Sequence, residues 1–213
     1  MFAIIYNMNS NSLGYQKIIF SGGFPTKAAD GGIGFCKEIL EGAFDTPKIL
    51  ECIFGMSDGS RENSMKKDEE LFRKFFPGRA IEFKLARPEN FIPQINNADV
   101  IYFRGGETSK LHSELSKIPG WQEAVKGKII VGASAGAYVL SDYYIQFNED
   151  APTLEKGFGL VPVKIVAHYL STFRHQGNLK AAEKYWKQVD EIMQNARQDL
   201  DSVKLKEGEF KVI

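Results

Sequence analysis

The pentapeptide Gly132-Ala133-Ser134-Ala135-Gly136 lies between two apolar runs, Lys128-Ile129-Ile130-Val131 and Ala137-Tyr138-Val139-Leu140. The first has the character of a buried strand and the second that of a helix. A serine between them, flanked by small residues, fits a sharp strand-to-helix turn that exposes the Ser134 hydroxyl. Such a turn needs a strand whose carboxyl end opens on a ligand-accessible rim, which favours an open α/β sheet. The small neighbours are expected to relieve crowding, the glycines by adopting positive φ. The amide of Ala135, at the start of the helix, is expected to face developing negative charge.

The rest of the chain supplies a sheet for that turn. Strand-like runs fall at 2–6, 17–20, 48–54, 81–85, 100–103 and 128–131, and helical patterns at 27–42, 63–76, 108–117 and 121–125. This alternation predicts βαβ units and a mostly parallel sheet with helices on both faces. The runs at 100–103 and 128–131 are nearly all apolar, as central strands should be. The length, 213 residues, suits one α/β domain spanning 1–213. Ser64 is a candidate N-cap, and the Ser/Asp/Gly-rich stretch Gly55 to Ser60 reads as a loop after a strand. Residues 179–196 carry Ala182, Tyr185, Trp186, Val189 and Met193 at helical spacing on an otherwise charged segment. The tail alternates on both sides of Glu207-Gly208, the pattern of a C-terminal β-hairpin.

Charge and composition exclude several classes of partner. With 27 basic and 27 acidic residues the chain has no bulk field for nucleic acid or an anionic membrane. No apolar run approaches the ~18 residues of a membrane span. The amino terminus lacks the basic region of a signal peptide. Cys36 and Cys52 read as buried, reduced thiols, which suits a cytoplasmic protein. No His/Cys/Asp cluster has metal-ligand spacing, and no phosphate loop carries its lysine. No metal or organic cofactor is expected.

Four polar or glycine-rich segments are expected on one rim: Ser21-Gly22-Gly23, Gly55 to Ser60, Arg104-Gly105-Gly106-Glu107, and the Ser134 turn. A serine needs a base to become a nucleophile. His112 falls in a helical pattern and His175 near the charged helix. His168 follows the apolar run Val163 to Ala167, so it is the preferred base. The acids between Ser134 and His168 are Asp142, Glu149, Asp150 and Glu155. Asp142 belongs on or near the helix after the turn. Asp150, with Glu149 close behind, sits in a turn-like stretch and gives the chain order serine, acid, histidine. The amides of Ala135, Gly105 and Gly106 are the candidate oxyanion donors.

Phe103-Arg104-Gly105-Gly106-Glu107-Thr108, then Gly132 to Ala137, then Gly157-Phe158-Gly159-Leu160-Val161-Pro162 leading to His168-Tyr169, resembles the S51 serine peptidases, the family of dipeptidase E and cyanophycinase. The resemblance implies a three-layer α/β/α sandwich, flavodoxin-like and related to class I glutamine amidotransferases. It implies Ser134 as nucleophile, His168 as base and Asp150, just ahead of Pro152, as acid. It implies hydrolysis of a small peptide, either a dipeptide or an isopeptide, including one with an acidic N-terminal residue. Glu107, where the family has asparagine, would put a carboxylate at the pocket mouth beside Thr108, and Arg174 is the available cation after the histidine. The chain would act as a monomer or homodimer. An esterase or acyl transferase with the same triad, or an inactive ligand-binding homologue, are the alternatives.

Overall fold

A computed structural model describes residues 17–148, 151–172 and 175–213. The strand-like run at 2–6 lies outside the described residues.

Five parallel strands form the larger sheet: β1 (Lys17–Ser21), β2 (Lys48–Cys52), β3 (Glu82–Leu85), β4 (Val100–Phe103) and β5 (Ile129–Ala133). A sixth, β10 (Phe210–Val212), runs antiparallel along β1 and gives the order β10-β1-β5-β4-β2-β3. Successive side chains of a strand point to opposite faces. Ile18 and Phe20, Leu50 and Cys52, Ile101 and Phe103, and Ile130 therefore share one core. Ile19, Ile49, Val100, Tyr102, Ile129 and Val131 share the core on the other face. Both faces are covered, which is why these strands read as continuous apolar runs.

One face receives α1 (Ile33–Leu40) and α2 (Asp58–Phe75), through Phe35, Ile39 and Phe72. The other receives α3 (Phe91–Asn96), α4 (Thr108–Ser116), α5 (Trp121–Ala124) and α6 (Ala135–Leu140), with Phe91, Leu111, Leu115, Trp121 and Val139. A second sheet follows, in the order β7-β6-β8-β9. It comprises β6 (Ser141–Gln146), β7 (Thr153–Lys156), β8 (Val161–Val166) and β9 (Asp201–Lys204). Its Tyr144, Val163, Ile165 and Val203 close the core over α6. Helix α7 (Leu179–Asn195) packs against this sheet through Ala182, Tyr185, Trp186, Val189 and Met193, the five positions its spacing singled out. The protein is thus an α/β fold with mostly parallel sheets and helices on both sides.

Three local expectations change. Helix α2 begins at Asp58, so Asp58 to Ser60 is helical. Ser64 lies inside that helix with its hydroxyl on the Met56 sulfur, so it is not an N-cap. Asp142 belongs to strand β6, because α6 is only six residues long and ends at Leu140. The C-terminal hairpin is present as two short strands around a turn, and its arms join different sheets: β9 pairs with β8 and β10 with β1.

Candidate active site

The site forms where the two sheets meet. Ser134 follows β5 of the larger sheet and His168 follows β8 of the smaller one. Backbone bonds hold the strand ends together: the Ser134 amide donates to Ser21 O at 3.0 Å and the His168 amide to Gly22 O at 3.2 Å. On α6, the Tyr138 hydroxyl donates to Ala167 O (3.2 Å) and accepts from the Ala167 amide (3.1 Å). Tyr138 thereby ties the serine-bearing helix to the residue before His168.

Ser134 Oγ lies 2.8 Å from His168 Nε2. Across the ring, His168 Nδ1 lies 3.3 Å from Glu207 Oε1. Glu207 comes from the turn between β9 and β10. That turn is fixed by the Gly208 amide on Gly23 O (2.9 Å) and the Tyr169 amide on Leu205 O (2.9 Å). Ser171 Oγ donates to Glu207 Oε1 at 2.9 Å, and Lys27 forms an ion pair with the other carboxylate oxygen. Burial alone would raise the Glu207 carboxyl. The hydrogen bonds from Lys27 and Ser171, with the charge of Lys27, outweigh it and hold the group below the usual carboxylate range.

The turn at Ser134 differs in its physics from the expectation. The strained backbone belongs to the serine, at φ 53 and ψ −115, and neither Gly132 nor Gly136 has positive φ. These glycines are required for space. A Cβ on Gly136 would stand 1.8 Å from Phe103 O, and one on Gly132 would stand 2.9 Å from Ala137 Cα. Gly105 lies directly beside the serine, where an added Cβ would be 3.7 Å from Ser134 Oγ. Among the described residues no acceptor engages the amides of Gly105 or Gly106. Ala135 is the first residue of α6, so its amide has no intrahelical partner.

The other residues singled out by sequence scatter. Glu107 is exposed and accepts a bond from Ser109 Oγ at 2.6 Å, whereas Thr108 is buried at the start of α4. Glu149, Asp150 and Arg174 lie outside the described residues. His112 stacks on Phe158 at 4.3 Å, and His175 contacts Phe147 and Tyr185. Sequence reasoning missed Glu207 as a partner of His168. Its only signal was the Glu-Gly turn in an alternating tail.

Behind the glycine loop sits a charged cluster. Arg104 grips Asp68 of α2 with two guanidinium nitrogens, Nη2 lying 2.9 Å from Oδ1. Glu51, on β2 beneath them, is fully buried, and neither of its oxygens has a hydrogen-bond partner among the described residues. Burial pushes its carboxyl well above the usual range. Asp68 and Glu69 reinforce the shift and Arg104 opposes it, so the balance favours the neutral carboxyl. A folded-state acid with a raised pKa contributes stability at low pH and loses it as pH rises past its unfolded value, about 4.3. Glu51→Gln removes that penalty. Its melting temperature should match wild type near pH 4 and exceed it at pH 8, in thermal scans across that range. The slope of stability against pH should change by up to ~1.4 kcal/mol per pH unit. A constant offset at all pH values would mean that Glu51 does not take up a proton on folding.

Two solved structures resemble this fold. A putative peptidase E protein from Listeria monocytogenes EGD-e aligns with a TM-score of 0.59 at 17% identity, over 92% of this chain and 96% of its own. A peptidase from an acI-B1 actinobacterium aligns with a TM-score of 0.54 at 23% identity, over 79% of this chain and 74% of its own. At these identities the likeness concerns the fold. No curated protein matches the sequence. Residues 63–211 match the profile of peptidase family S51. That span carries the Gly105–Gly106 loop, the serine turn, His168 and Glu207, and the chain belongs to this family of peptidases.

Proposed function

We propose that the protein is a serine peptidase that hydrolyses small peptides by acyl transfer, with Ser134 as nucleophile, His168 as base and Glu207 as the acid that orients it. The observation that carries this reading is the continuous line from Ser134 Oγ through the imidazole to Glu207, at 2.8 and 3.3 Å. Both lie within or just beyond hydrogen-bond reach, as expected for a site without substrate.

In this mechanism Ser134 attacks the scissile carbonyl while His168 Nε2 takes its proton. Glu207 accepts a hydrogen bond from Nδ1–H, fixes the tautomer and stabilises the imidazolium without taking its proton. The amides of Ala135, Gly105 and Gly106 receive the oxyanion. His168 then protonates the leaving amine, and water repeats the sequence on the acyl-enzyme.

A fluorophosphonate probe tests the nucleophile. One adduct is expected per chain, mapped to Ser134 by mass spectrometry and lost in Ser134→Ala. Absence of labelling, where a known serine hydrolase labels, would sink the reading.

A further inference from the structure

Six non-glycine residues among those described have positive φ: Phe24, Ser134, His168, Leu170, Gln176 and Arg197. Such backbone costs about 1–3 kcal/mol per residue and persists only where its surroundings hold it. Ser134 and His168 need it for the reacting atoms. Phe24 packs against the same histidine and Leu170 follows it by two residues in the chain, and each exposes a large apolar side chain, at 48% and 47%.

Both residues are clamped. The Lys27 amide donates to Phe24 O at 2.9 Å, and the Gly208 amide to Gly23 O at 2.9 Å. Gly23, at φ 90, presses on the imidazole so closely that a Cβ would lie 2.6 Å from His168 Cε1. The Phe24 ring stands edge-on to the His168 ring, 5.5 Å between centroids, with Lys27 Nζ 4.8 Å from its own centroid. Leu170 is held in the turn closed by the Ser171 amide on His168 O, at 2.9 Å. Core packing does not account for the orientation of these two exposed side chains.

Their side of the site follows from the chemistry. Gly105 adjoins Ser134, so the scissile carbonyl oxygen turns toward the glycine loop. The departing nitrogen must reach His168 Nε2 to be protonated. Phe24 stands against the imidazole that must protonate this nitrogen, so it adjoins the residue on the leaving-group side of the bond.

We propose that Phe24, assisted by Leu170, forms an apolar subsite for the leaving residue, and that the preferred substrates are small peptides with an apolar, above all aromatic, residue after the scissile bond. The inference deepens the peptidase reading of the same site and rests on it. Burial of the ring supplies most of the selectivity, and an edge-on or offset aromatic contact adds about two- to twelvefold.

The experiment uses dipeptides with Ala or Asp as the first residue and Phe, Leu or Gly as the second. Wild type is expected to favour Phe over Gly by at least ~tenfold in kcat/KM. Phe24→Ala should collapse that ratio to within ~threefold, and Phe24→Leu should keep an intermediate ratio. Fluorophosphonate labelling of Ser134 in Phe24→Ala reports whether the catalytic residues remain assembled. Equal loss on Phe and Gly substrates, or no apolar preference in wild type, would overturn the subsite. Binding of the same dipeptides to Ser134→Ala, measured by calorimetry, is independent of turnover. Tighter binding of the Phe dipeptide, weakened by Phe24→Ala, supports the subsite, and equal binding of Phe and Gly overturns it. Failure of the peptidase reading would instead appear as an unlabelled, inactive wild type.

Discussion

Replacement of Glu207 by glutamine is expected to lower kcat by about 10³–10⁴ while changing KM little, the scale known for an orienting carboxylate. Glutamine keeps the size of the side chain and an oxygen able to face His168 Nδ1, but removes the charge that stabilises the imidazolium. It also leaves Lys27, now without its carboxylate partner, close to the histidine. Ser134→Ala sets the floor for comparison. Glu149→Gln and Asp150→Asn, the acids favoured by chain order, should stay within ~threefold of wild type. A larger loss in either than in Glu207→Gln would move the orienting role to that loop. Stability provides a second readout. The Glu207 carboxyl is held below its ordinary range, so its contribution is full above about pH 4.3 and fades as pH falls through the lower folded value. The gap in melting temperature between wild type and Glu207→Gln should therefore narrow on acidification. A gap independent of pH would mean that the ion pair with Lys27 adds nothing to the fold.

The residues differ in how much of this arrangement they announce. The strands around Ile101 and Ile130 are apolar throughout because helices cover both faces, so a parallel α/β sheet was legible. The strand-to-helix turn at Ser134 was legible too, since strand, small residues and helix follow one another locally. Glu207 was not. It reaches His168 only because β9 pairs with β8 while β10, six residues on, pairs with β1 in the other sheet. No local pattern encodes two registers at once. The order serine, acid and histidine pointed to Asp150, which lies outside the described residues. Strand β6 was hidden for a different reason. Its Tyr143-Tyr144-Ile145 continues the apolar character of α6, and the change to strand comes from pairing with the distant β7 and β8. The start of α2 was masked by Ser57, Asp58, Gly59 and Ser60, which favour turns in isolation. In the fold Asp58 occupies the first turn of the helix, where an acid meets the positive end of the dipole, and pairs with Arg61 one turn on.

Gly136→Ala is expected to cost about 3 kcal/mol or more, because one methyl group has nowhere to go. The added Cβ would lie 1.8 Å from Phe103 O and 2.6 Å from Phe103 C, both backbone atoms of a central strand. A side chain could rotate away, but a strand paired on both sides cannot. For a chain of this length the melting temperature should fall by roughly 6–12 °C, measured by calorimetry. Gly59→Ala is the matched control. It also lies in a helix, no atom stands within 4 Å of its added Cβ, and the change should be neutral or stabilising by up to ~1 kcal/mol. The damage at Gly136 should also reach the chemistry. Phe103 is followed by Arg104 and then Gly105, so relief of the clash displaces the glycine loop from Ser134. Any folded Gly136→Ala protein should accordingly react more slowly with a fluorophosphonate than Gly59→Ala does. A melting temperature within about 2 °C of wild type would show that β4 and α6 can separate, and that the second glycine of the turn has another role.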